Sequence, residues 1–369
     1  MQVIRRTLLL AVSAMAAAQS TAPAPAQTPL PPPSPWQMQD SGTTAGLRGI
    51  DSVDGTVAWA SGTGGTVLRT LDDGAHWQKC AVPDAAADGA TLDFRGVQAW
   101  DAETAIVMAS GPGEKSRLYK TTDGCSSWAL LLKNTEKDGF WDGLVFQRAD
   151  YGYLSLPDEA MLIGDPLRGR FDTYFGYKKD KWFIESAGCE ARQGEAAFAA
   201  SNSSFVVLGM TRYILGTGGM SGARVLIAPK LNGGGDSDSC LSIEVPIVGG
   251  NGSSGIFSLS IRDLKHLVAV GGDYTKPTES KGTAAWSDDS GRTWTASTTP
   301  PHGYRSTVQW SESLKLWITA GANGSDISSD DGKTWQPLDD GNWNALSLPF
   351  VVGPNGRIAR LNPAALPKP

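Results

Sequence analysis

Short apolar runs of four to seven residues recur along this chain, and Gly, Asp, Ser and Thr break them. TVAWASG at 56–62 and TVLRT at 66–70 form one pair, and TAIVMASG at 104–111 and RLYKT at 117–121 form another. Runs of this length, rich in β-branched and aromatic residues and joined by Gly-rich breaks, predict strands in hairpins rather than helices. After the second run of each pair comes a polar stretch ending in Trp. Ser328–Trp335 reads SSDDGKTW, Ser287–Trp294 SDDSGRTW, Thr70–Trp77 TLDDGAHW and Thr121–Trp128 TTDGCSSW. The shared frame is a hydroxyl residue, then Asp, Gly and Trp at fixed offsets, with Cys125 in the Gly place of one copy. Asp can accept hydrogen bonds from amides within a turn, Gly supplies a positive φ, and Trp opens the next strand.

A leading strand precedes each pair. Its pattern is a large apolar residue, a variable residue, a small residue and an apolar residue. It reads Leu47-Arg48-Gly49-Ile50, Phe94-Arg95-Gly96-Val97, Trp141-Asp142-Gly143-Leu144, Glu195-Ala196-Ala197-Phe198, Ile256-Phe257-Ser258-Leu259, Tyr304-Arg305-Ser306-Thr307 and Trp343-Asn344-Ala345-Leu346. Seven units at the spacing of propeller blades predict an all-β fold: a seven-bladed β-propeller with four-stranded antiparallel blades over residues 36–369. YKKDKW at 177–182 and LNGGGDSDSC at 231–240 stand where the third and fourth units have lost the turn. The last unit has only PFVVG and RIARL after its leading strand, while Trp36–Gly42 is a Trp-led strand with nothing before it. The N-terminal strand is therefore expected to complete the last blade and close the ring.

The first residues do not belong to this pattern. MQVIRR followed by TLLLAVSAMAAA has the form of a secretory signal over residues 1–18, with cleavage as late as 26 as the alternative. Arg5-Arg6 leaves the route open between Sec and twin-arginine. Residues 19–35 are a Pro-rich linker. These features place the mature chain in the periplasm or outside the cell. In that setting the four cysteines are expected to pair as Cys80–Cys125 and Cys189–Cys240, each joining neighbouring units. The formal charge of −6 argues against nucleic acid as a partner.

The turns resemble those of BNR-repeat (Asp-box) propellers, a group that contains sialidases and several non-enzymes. Over residues 36 to 362 the chain resembles, more closely, bacterial members of the photosystem II stability/assembly factor-like family. WQMQDSGTTAGLRGI, WASGTGGTVLRTLDDGAHW, LIGDPLRGRF, VAVGGDY and GANGSDISSDDGKTW carry that resemblance. It implies a lumenal or periplasmic assembly factor that binds a membrane protein without catalysis.

In a propeller the leading strands line the channel, so the variable residues form a ring. Arg48, Arg95 and Arg305 would make a focused positive spot there, suited to carboxylates. Asp142, Ala196, Phe257 and Asn344 fill the other places. Pairing of each Arg with a neighbouring acid is the structural alternative. Asp165, Arg168 and Arg170 form a second candidate cluster, and Asp273 with Tyr274 a third. Asp72, Asp123, Asp289 and Asp330 are too few per turn to hold calcium. A sialidase would need an Arg triad, a Tyr nucleophile, an acid/base and an Arg-Ile-Pro run. Tyr213, Asp54 and Glu195 are present, but LRGI stands where that run should be. His76, His266 and His302 fall in different units, GTGGTV and GTGGMSG lack a following helix, and nothing calls for a cofactor or metal. The reading is thus a binding scaffold for a protein partner, with a membrane protein among the candidate partners. A glycoside hydrolase and a lectin-like carbohydrate binder are the rival classes.

Overall fold

The computed structural model describes residues 34–146, 160–178, 181–183, 188–208, 212–229 and 240–367. The signal segment, nearly all of the Pro-rich linker and most of the Gly-rich run at 231–240 lie outside the described residues, as do residues 179 and 180 of YKKDKW. The described residues form seven antiparallel sheets arranged in sequence order, and the expected propeller is observed.

The first blade runs Leu47–Ser52, Ala58–Gly62, Val67–Thr70 and Gln78–Lys79 from the channel outward. The second runs Phe94–Ala99, Ala105–Ala109, Arg117–Thr121 and Ala129–Lys133, and the third Trp141–Phe146, Ala160–Leu167, Arg170–Lys178 and Lys181–Phe183. The last blade is closed by the N-terminal strand. Trp36–Gln39 pairs antiparallel with Ile358–Leu361, outside Phe350–Val352 and Ala345–Ser347. Adjacent blades pack face to face through apolar residues. Trp59, Phe94, Val97 and Tyr119 join the first two, and Val268, Val308, Trp317 and Trp335 join the fifth and sixth.

The four turns share one bonding scheme. In Ser328–Trp335, Ser328 Oγ donates to Asp330 Oδ1 at 2.8 Å and accepts from the Gly332 amide at 3.0 Å, while Asp330 Oδ1 accepts from the Thr334 amide at 2.9 Å. The turns at Thr70, Thr121 and Ser287 repeat these bonds. Gly332 takes φ 78°, the left-handed region that glycine tolerates, and Cys125 takes φ 64° in the same place. Cys125 is bonded to Cys80 and Cys189 to Cys240, so both expected disulfides are present, one between the first and second blades and one between the third and fourth.

The fourth blade departs from expectation. Its innermost strand is Phe205–Leu208, followed by Arg212–Gly216, Arg224–Pro229 and Leu241–Glu244. Glu195–Ala196 pairs instead with Gly218–Gly219, which pairs with the long inner strand Asn251–Ile261 of the fifth blade. That blade continues with Leu267–Asp273, Ala284–Ser287 and Thr295–Ala296. The sixth is Thr307–Ser311, Leu316–Gly321, Gly324–Ser328 and Gln336–Asp339. A segment from Ala197 to Ser204 is left over before the fourth blade begins, and it enters the channel.

Candidate functional site

The inner strands of four blades break register at one residue each. The skips fall between Leu47 and Gly49, Phe94 and Gly96, Trp141 and Gly143, and Ile256 and Ser258. The residues stepped over are Arg48, Arg95, Asp142 and Phe257, the variable positions of the leading pattern. A β-bulge re-aims the side chain it carries. Here it explains how a strand with a buried face on each side presents one polar or aromatic residue to the channel.

Arg48 and Arg95 meet at one carboxylate. Arg95 Nε lies 2.8 Å and Arg48 Nε 3.5 Å from Asp93 Oδ2, and all three side chains are partly exposed. Arg95 also stacks over Phe140 at 5.9 Å. Burial, and then the neighbouring Arg95 charge, pull the Arg48 guanidinium below its usual range. Two cations facing one anion make a site short of negative charge.

Arg305 does not join them. The sixth blade is offset by one residue from the leading pattern: Thr307 pairs with Ala320, and the Ser306 amide donates to the Ala320 carbonyl. Ser306 thus takes the bulge position and Arg305 the preceding, inward-packed one. A slip of one residue along a strand reverses the side a residue faces. Arg305 is fully buried, with Nε 2.6 Å from Asp326 Oδ2 and Nη1 2.7 Å from Asn323 Oδ1.

The other candidates divide likewise. Asp165 accepts from the Ala197 amide at 3.2 Å and so faces the channel segment. Arg168 pairs with Glu136 and Arg170 with Glu190, at 3.2 and 3.0 Å. Asp273 is enclosed by hydroxyls and amides of Ser253, Thr275 and Asn251. Tyr274 is half exposed and packs edge-on to Phe257 at 6.1 Å. Phe257 lies flat against Phe198 at 4.0 Å and edge-on to Tyr304 at 4.9 Å. Ala196 sits in the added strand pair and not in the ring.

The channel segment is tied on several sides. Arg95 Nη1 reaches the Ala199 carbonyl at 3.4 Å, Asn202 bonds both backbone groups of Leu144 at 2.7 and 2.8 Å, Ser201 Oγ donates to the Ser306 carbonyl at 2.7 Å, and Ser203 Oγ meets Ser258 Oγ at 2.7 Å. One stretch of chain thus reaches blades two, three, five and six across the channel. The mouth has an Arg48–Asp93–Arg95 side and an aromatic side of Phe198, Phe257, Tyr274 and Tyr304.

The residues a sialidase reading would need stand apart and engaged. Glu195 is bonded to Arg224 and Thr217 at 2.6 Å. Asp54 closes a turn onto the amides of Thr56 and Val57. Tyr213 is buried in the fourth blade, and burial pushes its hydroxyl up to about 12. Among the described residues no group of three or more His, Cys, Asp or Glu is placed to hold a metal.

No family model matches the chain, and no curated protein matches it. Solved structures do. YCF48 from Cyanidioschyzon merolae superposes with a TM-score of 0.58 at 15% identity, covering 90% of this chain and 100% of that one. The chain shares its fold with YCF48. A structure of YCF48 bound to D1 peptide gives 0.57 at 17% identity, over 90% and 99% of the two chains. The WD40 β-propeller domain of Doa1 gives 0.55 at 11%, over 89% and 97%. At these identities the likeness is one of fold, and the mouth has to be read from its own residues.

Sequence reasoning missed Asp93 and the channel segment. Asp93 precedes the leading pattern of its unit by one residue, and an Asp beside an Arg-bearing bulge was the available signal. For Phe198 the signal was the weak fit of Glu195–Phe198 to the leading pattern.

Proposed function

We propose that this chain is an exported, non-catalytic binding scaffold of the Asp-box type, resembling the photosystem II assembly factor-like propellers, and that it takes a segment of a protein partner at the channel mouth. The observation that carries this reading is the mouth itself. Two arginines share one carboxylate, half-exposed Tyr274 packs edge-on to Phe257, and the segment 197–204 crosses between the blades beside them. A peptide carboxylate fits the Arg48–Arg95 side, and an apolar or aromatic side chain fits the side of Tyr274 and Phe198. That a YCF48 has been solved with a D1 peptide supports a protein ligand for this fold. The two disulfides agree with an oxidising compartment, the periplasm or the exterior. Export itself rests on the sequence of residues 1–18.

The test is an affinity capture from solubilised envelope of the native organism. The bait is the mature chain, beside an Arg48→Glu/Arg95→Glu variant and a Tyr274→Ala variant, each checked for wild-type melting. Arg305 is left in place because its removal would leave Asp326 buried and unpaired in the sixth blade. A partner held by the wild type and lost with the charge reversal supports the reading. Equal capture by all three baits moves the interface away from the mouth. Capture of no specific protein, with saturable binding on a glycan array, would favour a carbohydrate ligand instead.

A further inference from the structure

We propose that the third blade adds a cation subsite to the mouth, built on Asp165 and Asp142, so that the segment taken there carries a Lys or Arg beside its carboxylate. The inference rests on the reading of the mouth as a peptide site. It starts from two bulges on adjacent strands. The pairing of Trp141–Phe146 with Ala160–Leu167 steps over Asp142, and the pairing of Ala160–Leu167 with Arg170–Lys178 steps over Asp165. Trp141 pairs with Gly164, and the Asp165 amide donates to the Phe140 carbonyl, so both acids sit at the same end of the blade. Trp141 enters the core shared with the second blade, and the Gly143 position faces the Phe205 ring, which leaves the channel side to Asp142.

Among the described residues neither carboxyl has a cation. Asp142 is only 1% exposed, and its Oδ2 has no hydrogen-bond partner. Asp165 is partly exposed, and its carboxyl accepts from the Ala197 amide at 3.2 Å. The nearby arginines are committed elsewhere: Arg168 to Glu136, Arg170 to Glu190 and Arg95 to Asp93. A buried carboxylate oxygen without a donor is costly, and natural folds keep few of them. A cationic side chain of the ligand against Asp165 offsets that cost, and Asp142 adds a second negative charge from the more enclosed position.

The subsite adjoins the arginine pair. Arg95 lies over the Phe140 ring at 5.9 Å, and the Phe140 carbonyl is the group that the Asp165 amide bonds. Arg95 Nη1 and Asp165 Oδ1 also meet the same stretch of chain, at the Ala199 carbonyl and the Ala197 amide. A segment whose carboxylate is held by Arg48 and Arg95 therefore passes close to Asp165. The mouth is thus dipolar, positive toward the first two blades and negative at the third. Such a field fixes direction as well as composition. A segment entering the other way round sets its acid on Asp165 and its base on the arginines, with like charges at both ends.

A random peptide library displayed on phage and selected on the immobilised mature chain supplies the probe. Selected peptides are expected to carry an acid and, close to it in one fixed order, a Lys or Arg. Changing that base to Gln in the best binder should weaken binding to the wild-type chain about tenfold, read by fluorescence anisotropy. This change is made in the peptide and needs no variant of the protein. The unchanged peptide should bind Asp165→Asn more weakly than wild type, and the Gln exchange should then cost little. Asp165→Asn keeps an acceptor for the Ala197 amide and is checked for wild-type melting, as is Asp142→Asn, which should show part of the same loss. Arg48→Glu/Arg95→Glu should lose all the selected peptides. Peptides that bind through an acid and apolar residues with no preference for a base overturn the subsite and leave the proposed function standing. An equal tenfold loss in Asp165→Asn does the same. Selection of no peptide at all overturns both.

Discussion

Arg305 and Asp326 form an ion pair with no solvent-exposed side chain on either side, inside the sixth blade. His302 and Asn323 complete the cluster, with His302 Nδ1 2.7 Å from the second oxygen of Asp326. Removing one partner of such a pair leaves a buried charge uncompensated, which costs about 3–5 kcal/mol. Asp326→Asn should therefore lower the unfolding free energy by that order. Arg305→Met, which leaves Asp326 alone, should do the same. Chemical denaturation of each variant measures it. A loss under about 1 kcal/mol for both would mean that water reaches the pair.

The N-terminal strand carries a comparable load. Trp36 is buried, lies 6.0 Å from Trp343 between ring centroids, and donates its Nε1 to Ser325 Oγ at 2.9 Å. It thereby ties the closing strand to both the last and the sixth blades. Trp36→Ala should cost about 3–5 kcal/mol, as large aromatic truncations in cores do. Because this strand is the outer strand that completes the last blade, limited proteolysis should then cut first within residues 34–46. Cleavage elsewhere with Trp36–Gln39 still protected would show that the strand holds without its anchor.

The hydroxyl at the head of each turn is predicted to matter for a reason the Asp alone does not supply. Ser328 is buried, and its Oγ is the acceptor for the Gly332 amide. Ser328→Ala strands that amide and should cost about 1–3 kcal/mol. Ser328→Thr keeps the acceptor, as Thr70 and Thr121 do in their own turns, and should recover most of the loss. Equal melting temperatures for Ser328→Ala and the wild type would reject the account.

The disulfide between Cys80 and Cys125 closes a separation of 45 residues across the first two blades. Cross-links of that span contribute about 2–4 kcal/mol, chiefly by restricting the unfolded chain. The double variant Cys80→Ser/Cys125→Ser should lose that amount. It also removes the bond that helps hold Cys125 in a left-handed backbone, so Cys125→Gly with Cys80→Ser should be the more stable of the two reduced forms. Urea titration of both variants under reducing and oxidising conditions decides it.

Much of this architecture was legible because it repeats. Blade number, strand order and ring closure follow from motifs that recur, and a period is readable even when single copies drift; the disulfides follow from an even cysteine count in neighbouring units. What was not legible depended on one-residue offsets or on insertions. Arg305 looked like Arg48 and Arg95 in the leading pattern, yet the sixth blade starts one residue later and turns that side chain inward. Glu195–Phe198 resembled a leading strand, but the true one begins at Phe205. The residues between them cross the channel, where their own sequence carries no strand signal. Asp93 gains its role only because Arg48 comes from the neighbouring blade, a relation that no local pattern records.

The pH profile of stability is expected to fall on both sides of a maximum near about pH 4–5, for two distinct reasons. On the acid side stand carboxylates held below their usual range. Asp123 is brought to about 2 by the Ser127 hydroxyl and amide. For Asp273 burial works upward, but the bonds from Thr275, Ser253 and Asn251 prevail and hold it at about 2. A depressed carboxylate stabilises the fold above its ordinary value, and that contribution is lost as pH falls through 2. On the other side stands Asp165, raised to about 6 by burial. Its folded form holds the proton more tightly than the unfolded chain does. Its contribution is therefore complete below about pH 4 and disappears as pH rises through 6. Urea midpoints at pH 2.5, 4.5 and 8 should be highest at 4.5. The difference between Asp165→Asn and wild type should grow in favour of the variant from pH 4.5 to 8, and Asp273→Asn should flatten only the acid limb. If Asp165→Asn instead loses stability steadily as pH rises, Asp165 is a stabilising anion in the fold, and the sign assigned to its burial is wrong.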